Sequence, residues 1–287
     1  MEYKNTLIRS IRDYLDWLDD ATISTVKSDT GDDIIFENPN LYYRGQSCVK
    51  ELNPGIFRDS YSPGVVEHQM LLKASLYLWK ELSVFKTYLE KLVFLQHYGM
   101  PTRLLDVTFN PLVALYFACN KQNNSEGIVF CGSRQSEESE HIAELTSEFV
   151  FKHPFDFFEK DVKRFVIDKE ESLYKFSQPL FVLPPINNPR VEHQNGAFVM
   201  APLAKIGKDI VYLNTNSLDD SGFFSDKRAL IPDTCKFAII KDLHKFGINR
   251  GNIFQGVSEK IESIIQEEKW GLERYNLNIG GEQNESI

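Results

Sequence analysis

The segment from Pro111 to about Asn120 constrains the fold more than any other part of the chain. Asn110 precedes Pro111, which places a capping residue before a proline in the first helical turn. Residues 112–118 are apolar nearly all round the predicted helix. A helix without a polar face is stable only when most of its sides are covered. We therefore predict that this helix is buried and packs beside the strand that carries Arg44.

Helical periodicity dominates the first half of the chain, and strand-like runs dominate the second half. Apolar residues recur at helical spacing over Leu7–Leu18, over Val65 to about Tyr98 (interpreted as two helices) and over Val257–Ile265. Short apolar and aromatic runs predict strands at Leu41–Gly45, Leu104–Thr108, Gly127–Cys131, Leu180–Leu183, Gly196–Met200, Ile210–Leu213 and Phe237–Ile240. This order favours an α+β fold, in which a helical N-terminal half packs on a mostly antiparallel sheet.

The length of 287 residues is compatible with one elaborated domain. We expect an N-terminal helix within residues 1–30, the main domain over 31–270 and a flexible tail over 271–287. A charged region at 132–179 is interpreted as an insertion of loop and helix on the surface.

Charge and hydropathy exclude some classes of partner. The net charge of −9 repels polyanions at long range, which argues against indiscriminate duplex binding but allows a small anionic ligand held by arginine. No apolar stretch approaches the roughly 20 residues that cross a bilayer, and the first residues lead into a charged helix, so we expect no membrane contact. The four cysteines have no metal-site spacing and are interpreted as reduced thiols of a cytoplasmic protein.

Three arginines beside glycine, proline or aromatic residues are the most distinctive polar feature. They are Arg44 in Tyr43-Arg44-Gly45-Gln46, Arg58 after Pro54-Gly55-Ile56-Phe57, and Arg103 after Pro101-Thr102. Arginine grips phosphate with two parallel donors, and an adjacent glycine lets a ligand approach the backbone. We interpret Arg44 as functional, whereas pairing with carboxylates or carbonyls is the favoured role of Arg58 and Arg103.

Other polar residues have a structural and a functional interpretation. His97 ends a predicted helix, where it either caps carbonyls or serves as an acid or base. Asp106 lies in an apolar stretch and must have a donor partner, for which Arg103 or backbone amides are the simplest candidates. The polar cluster from Arg190 to Gly196 is, from composition alone, a hydrophilic turn before a strand.

Together these motifs resemble the FRG domain, which is named for a Phe/Tyr-Arg-Gly motif. The resemblance covers roughly Asn40 to Ile265 and rests on Tyr43–Gln46, Leu52–Arg58, Glu67, the long run Leu95–Ala118, and Gln194–Phe198. The main domain over 31–270 would then be an FRG domain. The family is widespread in bacteria and their phages, often near defence or toxin genes, so the resemblance implies a role in conflict between bacteria and phages.

A more distant similarity links the same residues to the ADP-ribosyltransferase superfamily. Arg44, then Thr108 before Ala114–Ala118, then Glu192 or Gln194 follow the order of that superfamily's motifs. The similarity implies that Arg44 holds the diphosphate of NAD, that Thr108 lines the nicotinamide pocket and that a carboxylate bonds a ribose hydroxyl. A carboxylate there stabilises the positive charge that develops on the ribose. If the third residue is Gln194 rather than Glu192, the domain binds a nucleotide without cleaving it.

We therefore expect catalytic residues among Glu192, Gln194 and His97, and cofactor-binding residues among Arg44, Gly45, Gln46, Arg103, Asp106 and Thr108. Arg44, His97, Arg103 and Asp106 are predicted to converge on one cleft. The substrate would be NAD, and the acceptor a protein or a nucleic acid. Two alternatives remain open. One is a non-catalytic module that senses a nucleotide or nucleic-acid end, or docks a protein; the other is a metal-independent nuclease with His97 as base and Arg103 on the phosphate.

Overall fold

The computed structural model describes residues 4–27, 33–37, 41–58, 63–121, 124–133, 139–152, 176, 178–183, 194–202, 204–206, 209–211, 218, 223–254, 260–265 and 268–270. The strands are β1 (Lys4–Leu7), β2 (Ile23–Lys27), β3 (Asp33–Glu37), β4 (Leu41–Gln46), β5 (Leu104–Thr108), β6 (Gly127–Ser133), β7 (Leu180–Val182), β8 (Gly196–Met200), β9 (Ala204–Ile206), β10 (Asp209–Val211) and β11 (Phe224–Ile231). The helices are α1 (Ile11–Thr22), α2 (Pro63–Tyr77), α3 (Trp79–Leu82), α4 (Tyr88–His97), α5 (Pro111–Cys119), α6 (Ser139–Lys152), α7 (Asp233–Lys245) and α8 (Arg250–Phe254), with a 3-10 turn at Gly55–Phe57.

The described strands build one large mixed sheet in the order β1-β11-β6-β4-β5-β8-β7. Neighbouring strands run antiparallel, apart from β1, which pairs parallel to β11. Two separate hairpins pair β2 with β3 and β9 with β10. The expected α+β class with a mostly antiparallel sheet is confirmed.

The sheet is weakest between its two central strands. β4 pairs with β6 over six residue pairs, whereas its pairing with β5 is recorded at Tyr43–Thr108 alone within the described residues. The ladder pairs Arg44 with Phe130 on β6 and Asp106 with Phe198 on β8, so it does not join Arg44 to Asp106. The Arg44 side chain makes this connection instead, through its hydrogen bond to the Asp106 carbonyl.

Helix α5 lies directly over the central strands, as its sequence predicts. The Asn110 carboxamide accepts hydrogen bonds from the backbone N–H groups of Leu112 and Val113, which caps the helix. Ala114 is fully buried. A Cβ at Gly45 on β4 would overlap the Ala114 carbonyl, and one at Gly127 on β6 would overlap another α5 carbonyl. The two glycines thus permit the close approach of α5 to the sheet.

Apolar clusters fill both faces of the sheet. One cluster joins α2, α4 and α6 to β7 and β8, and a second joins α1, α5, α7 and α8 to β4, β6 and β11. A third contains the alternate residues of the central strands, such as Leu105 and Val107. Asp106 lies between Leu105 and Val107 on β5 and is exposed, although its neighbours on the strand are buried.

Several elements differ from the sequence prediction. The strand predicted at Phe237–Ile240 is wrong, because these residues lie inside helix α7. The segment predicted as two helices from Val65 contains α2, α3 and α4, and strands β1 and β11 were not predicted. Helix α6, expected on the surface, contributes buried residues to the first cluster. Among the described residues, no helix is long and apolar enough to span a membrane.

Candidate functional site

A cleft of about 320 Å³ opens beside β5, and we call it the β5 cleft. Its walls come from the C-terminal end of α4, the Pro101–Thr102 turn, β5 and the start of β8. The polar side chains among its lining residues are Arg58, Gln96, His97, Thr102, Asp106 and Gln194. The cleft therefore gathers residues from distant motifs, since Arg58 and Gln194 lie 136 positions apart in the sequence.

Arg44 on β4 is not among the residues that line the cleft, but it contacts Asp106, which is. The Arg44 Nη1 donates to the Asp106 backbone carbonyl at 2.5 Å and lies 3.7 Å from the Asp106 Oδ2. The side chain is 15% exposed, and burial lowers the pKa of Arg44 to about 10, so it stays charged at neutral pH. Arg44 is therefore a recessed cation that bridges from β4 to Asp106 on β5 and has one buried donor, Nε, without an acceptor among the described residues.

Arg58 is a second cation at the same site. It is exposed, lines the cleft and donates from Nε to the Asn53 carbonyl at 2.8 Å. Its charge contributes to the lowered pKa of Arg44, although burial is the larger cause. The sequence interpretation of Arg58 as a carbonyl-bonding residue is confirmed by the contact with Asn53. The structure adds that the same side chain faces the cleft, which the motif alone did not indicate.

Asp106 is held by a short chain of hydrogen bonds that the sequence did not reveal. The Gln96 Nε2 donates to the Asp106 Oδ1 at 3.2 Å, and the Gln96 Oε1 accepts from the Thr102 hydroxyl. The Thr102 hydroxyl in turn accepts from the Leu104 backbone N–H at 3.1 Å. Asp106 thus has Gln96 on one side and Arg44 on the other, instead of the Arg103 expected from sequence. The sequence signal that could have identified Gln96 as a site residue is its position directly before His97 at the end of a predicted helix.

His97 is the last residue of α4 and lines the β5 cleft, as predicted. Its ring lies edge-on to the Tyr98 ring, with centroids 5.2 Å apart. A neutral imidazole in this position can accept a proton from a nucleophile that enters the cleft. His97 and Asp106 therefore converge on one cavity, with Arg44 bonded to Asp106.

Thr108, predicted to line a nicotinamide pocket, is not among the residues that line the cleft and instead contacts the backbone of Gln194. The Thr108 hydroxyl donates to the Gln194 carbonyl at 2.5 Å and accepts from the Asn110 N–H at 3.0 Å. Thr108 is buried, so this hydroxyl ties the end of β5 to the turn before β8. The Gln194 side chain lines the cleft, with its Nε2 3.4 Å from the Ile253 carbonyl. Glu192, the alternative third residue, lies outside the described residues.

Arg103 does not line the cleft, which corrects its predicted place beside Arg44, His97 and Asp106. Its guanidinium is fully buried and forms two hydrogen bonds to Glu67, Nε–Oε1 at 3.1 Å and Nη2–Oε2 at 2.5 Å. Its Nη1 donates to the Ala201 carbonyl at 3.2 Å. This ion pair joins α2 to the ends of β5 and β8. The contacts support the structural interpretation of Arg103 rather than a cofactor-binding one.

Gly45 and Gln46, also predicted to bind a cofactor, have other surroundings. The side of Gly45 where a Cβ would stand is occupied by α5, so the glycine serves helix packing rather than ligand approach. The Gln46 Nε2 is buried without an acceptor among the described residues, and Gln46 is not among the residues that line the cleft. Within the described residues, no cluster of three or more His, Cys, Asp or Glu could hold a metal ion.

Comparison with known proteins agrees with the motif resemblance. Residues 39–127 match the model of the FRG domain family, which supports the assignment of this part of the chain to that family. No curated protein and no solved structure matches the chain. The matched segment contains five of the six polar residues that line the β5 cleft, namely Arg58, Gln96, His97, Thr102 and Asp106.

Proposed function

We propose that the β5 cleft binds NAD or a related nucleotide and that the protein acts as an ADP-ribosyltransferase-like enzyme. The observation that carries the proposal is a cleft lined by Arg58, Asp106, His97 and Gln194, in which Asp106 is bonded by a second arginine, Arg44, that does not itself line the cleft. The proposal takes its reaction type from the similarity of motif order, and its binding mode from the geometry of these side chains.

The two arginines favour a ligand with adjacent negative charges. Like charges placed close together are unfavourable unless an anion lies between or beside them, and one carboxylate, Asp106, is near Arg44. The Asp106 side chain is 65% exposed, so water already screens much of its attraction. A diphosphate would supply two charges and several acceptor oxygens for guanidinium donors.

The reaction requires the C1′–N bond between ribose and nicotinamide to break. The bonding electron pair leaves with nicotinamide, positive charge develops on the ribose, and a nucleophile on the acceptor bonds to C1′ and releases its proton to a base. A carboxylate beside the ribose stabilises the developing charge. Asp106 is the carboxylate among the described lining residues, and Glu192 is the carboxylate implied by the motif order. His97 is the base within reach of the cleft.

A nucleotide sensor without catalysis is the second candidate, and the position of Gln194 favours it. Gln194 lines the cleft where the motif order expects a carboxylate, and its amide carries no charge. The nuclease alternative has no such support, because Arg103 is buried against Glu67 and is not positioned to contact a phosphate in the cleft.

Calorimetry with NAD and chromatographic detection of nicotinamide separate these possibilities. We expect NAD to bind the wild-type protein, and Arg44→Lys to weaken binding about tenfold or more, because lysine keeps the charge but loses the planar donor pair. Arg58→Lys should have a smaller effect, since Arg58 is exposed. Arg12→Lys on α1, another exposed arginine, is the matched control and should bind as the wild type does.

Turnover tests the reaction itself. Glu192→Gln and Asp106→Asn should each change NAD affinity only a fewfold. If the substituted residue is the catalytic carboxylate, that variant should also release nicotinamide at least about a hundredfold more slowly. Binding without nicotinamide release, even with cell lysate as a source of protein and nucleic-acid acceptors, would establish the sensor instead. If NAD and related nucleotides do not bind, both candidates fail and a protein-docking module becomes the better account.

The proposed setting is conflict between bacteria and phages, as a defence component or toxin, and it rests on the resemblance to the FRG domain. Expression in a bacterial host measures it directly: growth arrest or reduced phage yield should require Arg44. Equal effects of the wild type and Arg44→Lys would separate any such role from the β5 cleft.

A further inference from the structure

The outer face of helix α2 is apolar, where a surface helix normally carries polar residues. Leu72 and Leu76 lie four positions apart and share one face of α2, and Tyr77 and Trp79 follow at its junction with α3. These four side chains are between 48% and 82% exposed. A different face of α2 packs in the first apolar cluster, through Leu71. We call the four exposed residues the α2–α3 patch.

A second exposed apolar surface lies on the helical residues 260–265. Ile261, Ile264 and Ile265 are each about half exposed, and their spacing of three and four places them on one side of the helix. Ser263 is buried, and a Cβ at Gly251 of α8 would lie 3.2 Å from the Ser263 Cβ. The helical segment therefore packs on α8 by its other side. We call the three exposed residues the isoleucine stripe.

The two surfaces are available to a partner at the same time. Both are exposed in the one fold, so neither covers the other within a single molecule. They also belong to different groups of helices, since α2 contributes to the first apolar cluster and α8 to the second. Exposed apolar patches on a folded protein mark surfaces of interaction.

The shapes of the two surfaces are suited to each other. Leu72 and Leu76 form a ridge of residues four positions apart, and Ile261 and Ile265 form another. Two ridges of this kind interdigitate at a crossing angle of about −50°, which is the commonest packing of helices in globular proteins. The α2–α3 patch of one molecule can therefore pack against the isoleucine stripe of another.

The charges around the two surfaces have opposite signs. Residues 72–86 contain three lysines and one glutamate, a net charge of +2, and the Lys80 Nζ lies 5.7 Å from the centre of the Trp79 ring. Residues 259–269 contain four glutamates and two lysines, and Arg250, whose Nε lies 2.7 Å from the Glu262 Oε2, brings the net charge there to −1. Opposite charges favour contact between the two surfaces over contact of either surface with its own copy.

We infer that the protein associates with itself head to tail, with the α2–α3 patch of one copy on the isoleucine stripe of the next. Each copy of a dimer then keeps one surface uncovered, so the assembly grows with concentration unless its rotation closes a ring. Neither surface contains a residue that lines the β5 cleft, so the inference does not depend on the proposed function.

Sedimentation velocity at protein concentrations from about 1 to about 200 µM tests the association. We expect a dissociation constant in the micromolar range, because two short helical surfaces form an interface at the lower end of the known sizes. Each copy has a net charge of −9, so the buffer should contain about 0.15 M salt, which screens charges more than about 8 Å apart.

One double variant removes the apolar contact from each surface. Leu76→Gln with Trp79→Gln changes the α2–α3 patch, and Ile261→Gln with Ile264→Gln changes the isoleucine stripe. Each should raise the dissociation constant about thirtyfold, because the remaining exposed part of two apolar side chains is no longer buried in the interface.

A matched control changes two other exposed leucines. Leu7→Gln with Leu15→Gln leaves both surfaces intact and should associate as the wild type does. All of the substituted side chains are exposed, so the melting temperatures followed by circular dichroism should stay within a few degrees of the wild type.

An equimolar mixture of the two surface variants distinguishes a head-to-tail contact from a symmetric one. Each variant lacks the surface that the other retains, so the mixture should form a dimer with wild-type affinity and nothing larger, although neither variant associates alone. A wild type that stays monomeric at the highest concentration, an association that only one variant weakens, or a mixture that does not associate would overturn the inference and leave the two surfaces to other proteins.

Discussion

Replacement of Arg103 by methionine should lower the free energy of unfolding, because it leaves the buried Glu67 carboxylate unpaired. In Arg103→Met, Glu67 remains 1% exposed and loses both of its guanidinium hydrogen bonds. Breaking a buried ion pair by removing one partner costs about 3–5 kcal/mol. Protonating a carboxylate at pH 7 is an alternative that costs about 3.7 kcal/mol, from the ordinary glutamate pKa of about 4.3 and about 1.36 kcal/mol per pH unit. We therefore expect a loss of about 3–4 kcal/mol at pH 7.

The loss of stability in Arg103→Met should depend on pH. If the variant protonates its buried carboxylate, the folded state binds a proton that the unfolded state releases above pH 4.3, so the variant regains stability as the pH falls. The difference from wild type should shrink by about 1.4 kcal/mol per unit between pH 7 and pH 5.5. Urea unfolding at several pH values, followed by circular dichroism, measures this difference.

Two controls separate the buried pair from charge effects in general. The double variant Arg103→Met with Glu67→Leu removes both charges and should recover most of the lost stability, since apolar residues of similar volume replace buried ion pairs at little cost. Asp242→Asn disrupts the exposed pair with Lys245 and should cost less than about 1 kcal/mol. An Arg103→Met variant as stable as the wild type would refute the structural role assigned to this arginine, and a loss that does not change with pH would refute the uptake of a proton by the folded variant.

Other substitutions test the packing and the cleft. Gly45→Ala should prevent normal folding, because its methyl group would overlap the Ala114 carbonyl, and Ala114→Asp should do the same by burying a charge; a native thermal melt of either soluble variant would contradict this packing. Gln96→Leu removes the donor to Asp106 and should lower nicotinamide release or nucleotide affinity with little change in melting temperature, whereas unchanged values of both would show that Asp106 needs no positioning. Pyrophosphate binding should weaken as the pH rises through about 10, where Arg44 loses its proton, and calorimetry that shows constant affinity up to pH 11 would exclude Arg44 as the anion ligand.

Local sequence patterns were sufficient to predict those helices and strands whose own residues determine how they are buried. Helix α5 is the example: its cap, its proline and its lack of a polar face predicted both its bounds and its burial. The strands β4 and β5 were predicted for the same reason, since short apolar and aromatic runs between turns have few other stable arrangements. Local motifs also singled out His97 and Asp106, which both line the β5 cleft, and Arg44, which contacts Asp106.

Helix α7 shows where such patterns mislead. The run from Phe237 to Ile240 has the composition of a short strand, and periodicity over four residues does not distinguish it from a helix. The buried positions of α7 are Lys236, Ile239 and Leu243, which have helical spacing. The spacing is not apparent from the sequence, because a lysine occupies one of the buried positions. Lys236 is buried because its Nζ donates to the distant carbonyls of Ser47 and Lys121.

The sequence by itself determined which residues can carry chemistry, the central helix and the class of fold. Only the tertiary structure decided which charged side chains form pairs. Arg103 lies three residues from Asp106 but pairs with Glu67. Asp106 contacts Arg44, which is 62 positions away in the sequence. Side chains alternate between the two faces of an extended strand, so neighbours in sequence are often separated in space. Partners of charged groups are set by the packing of whole elements, and that packing depends on contacts that no local pattern contains.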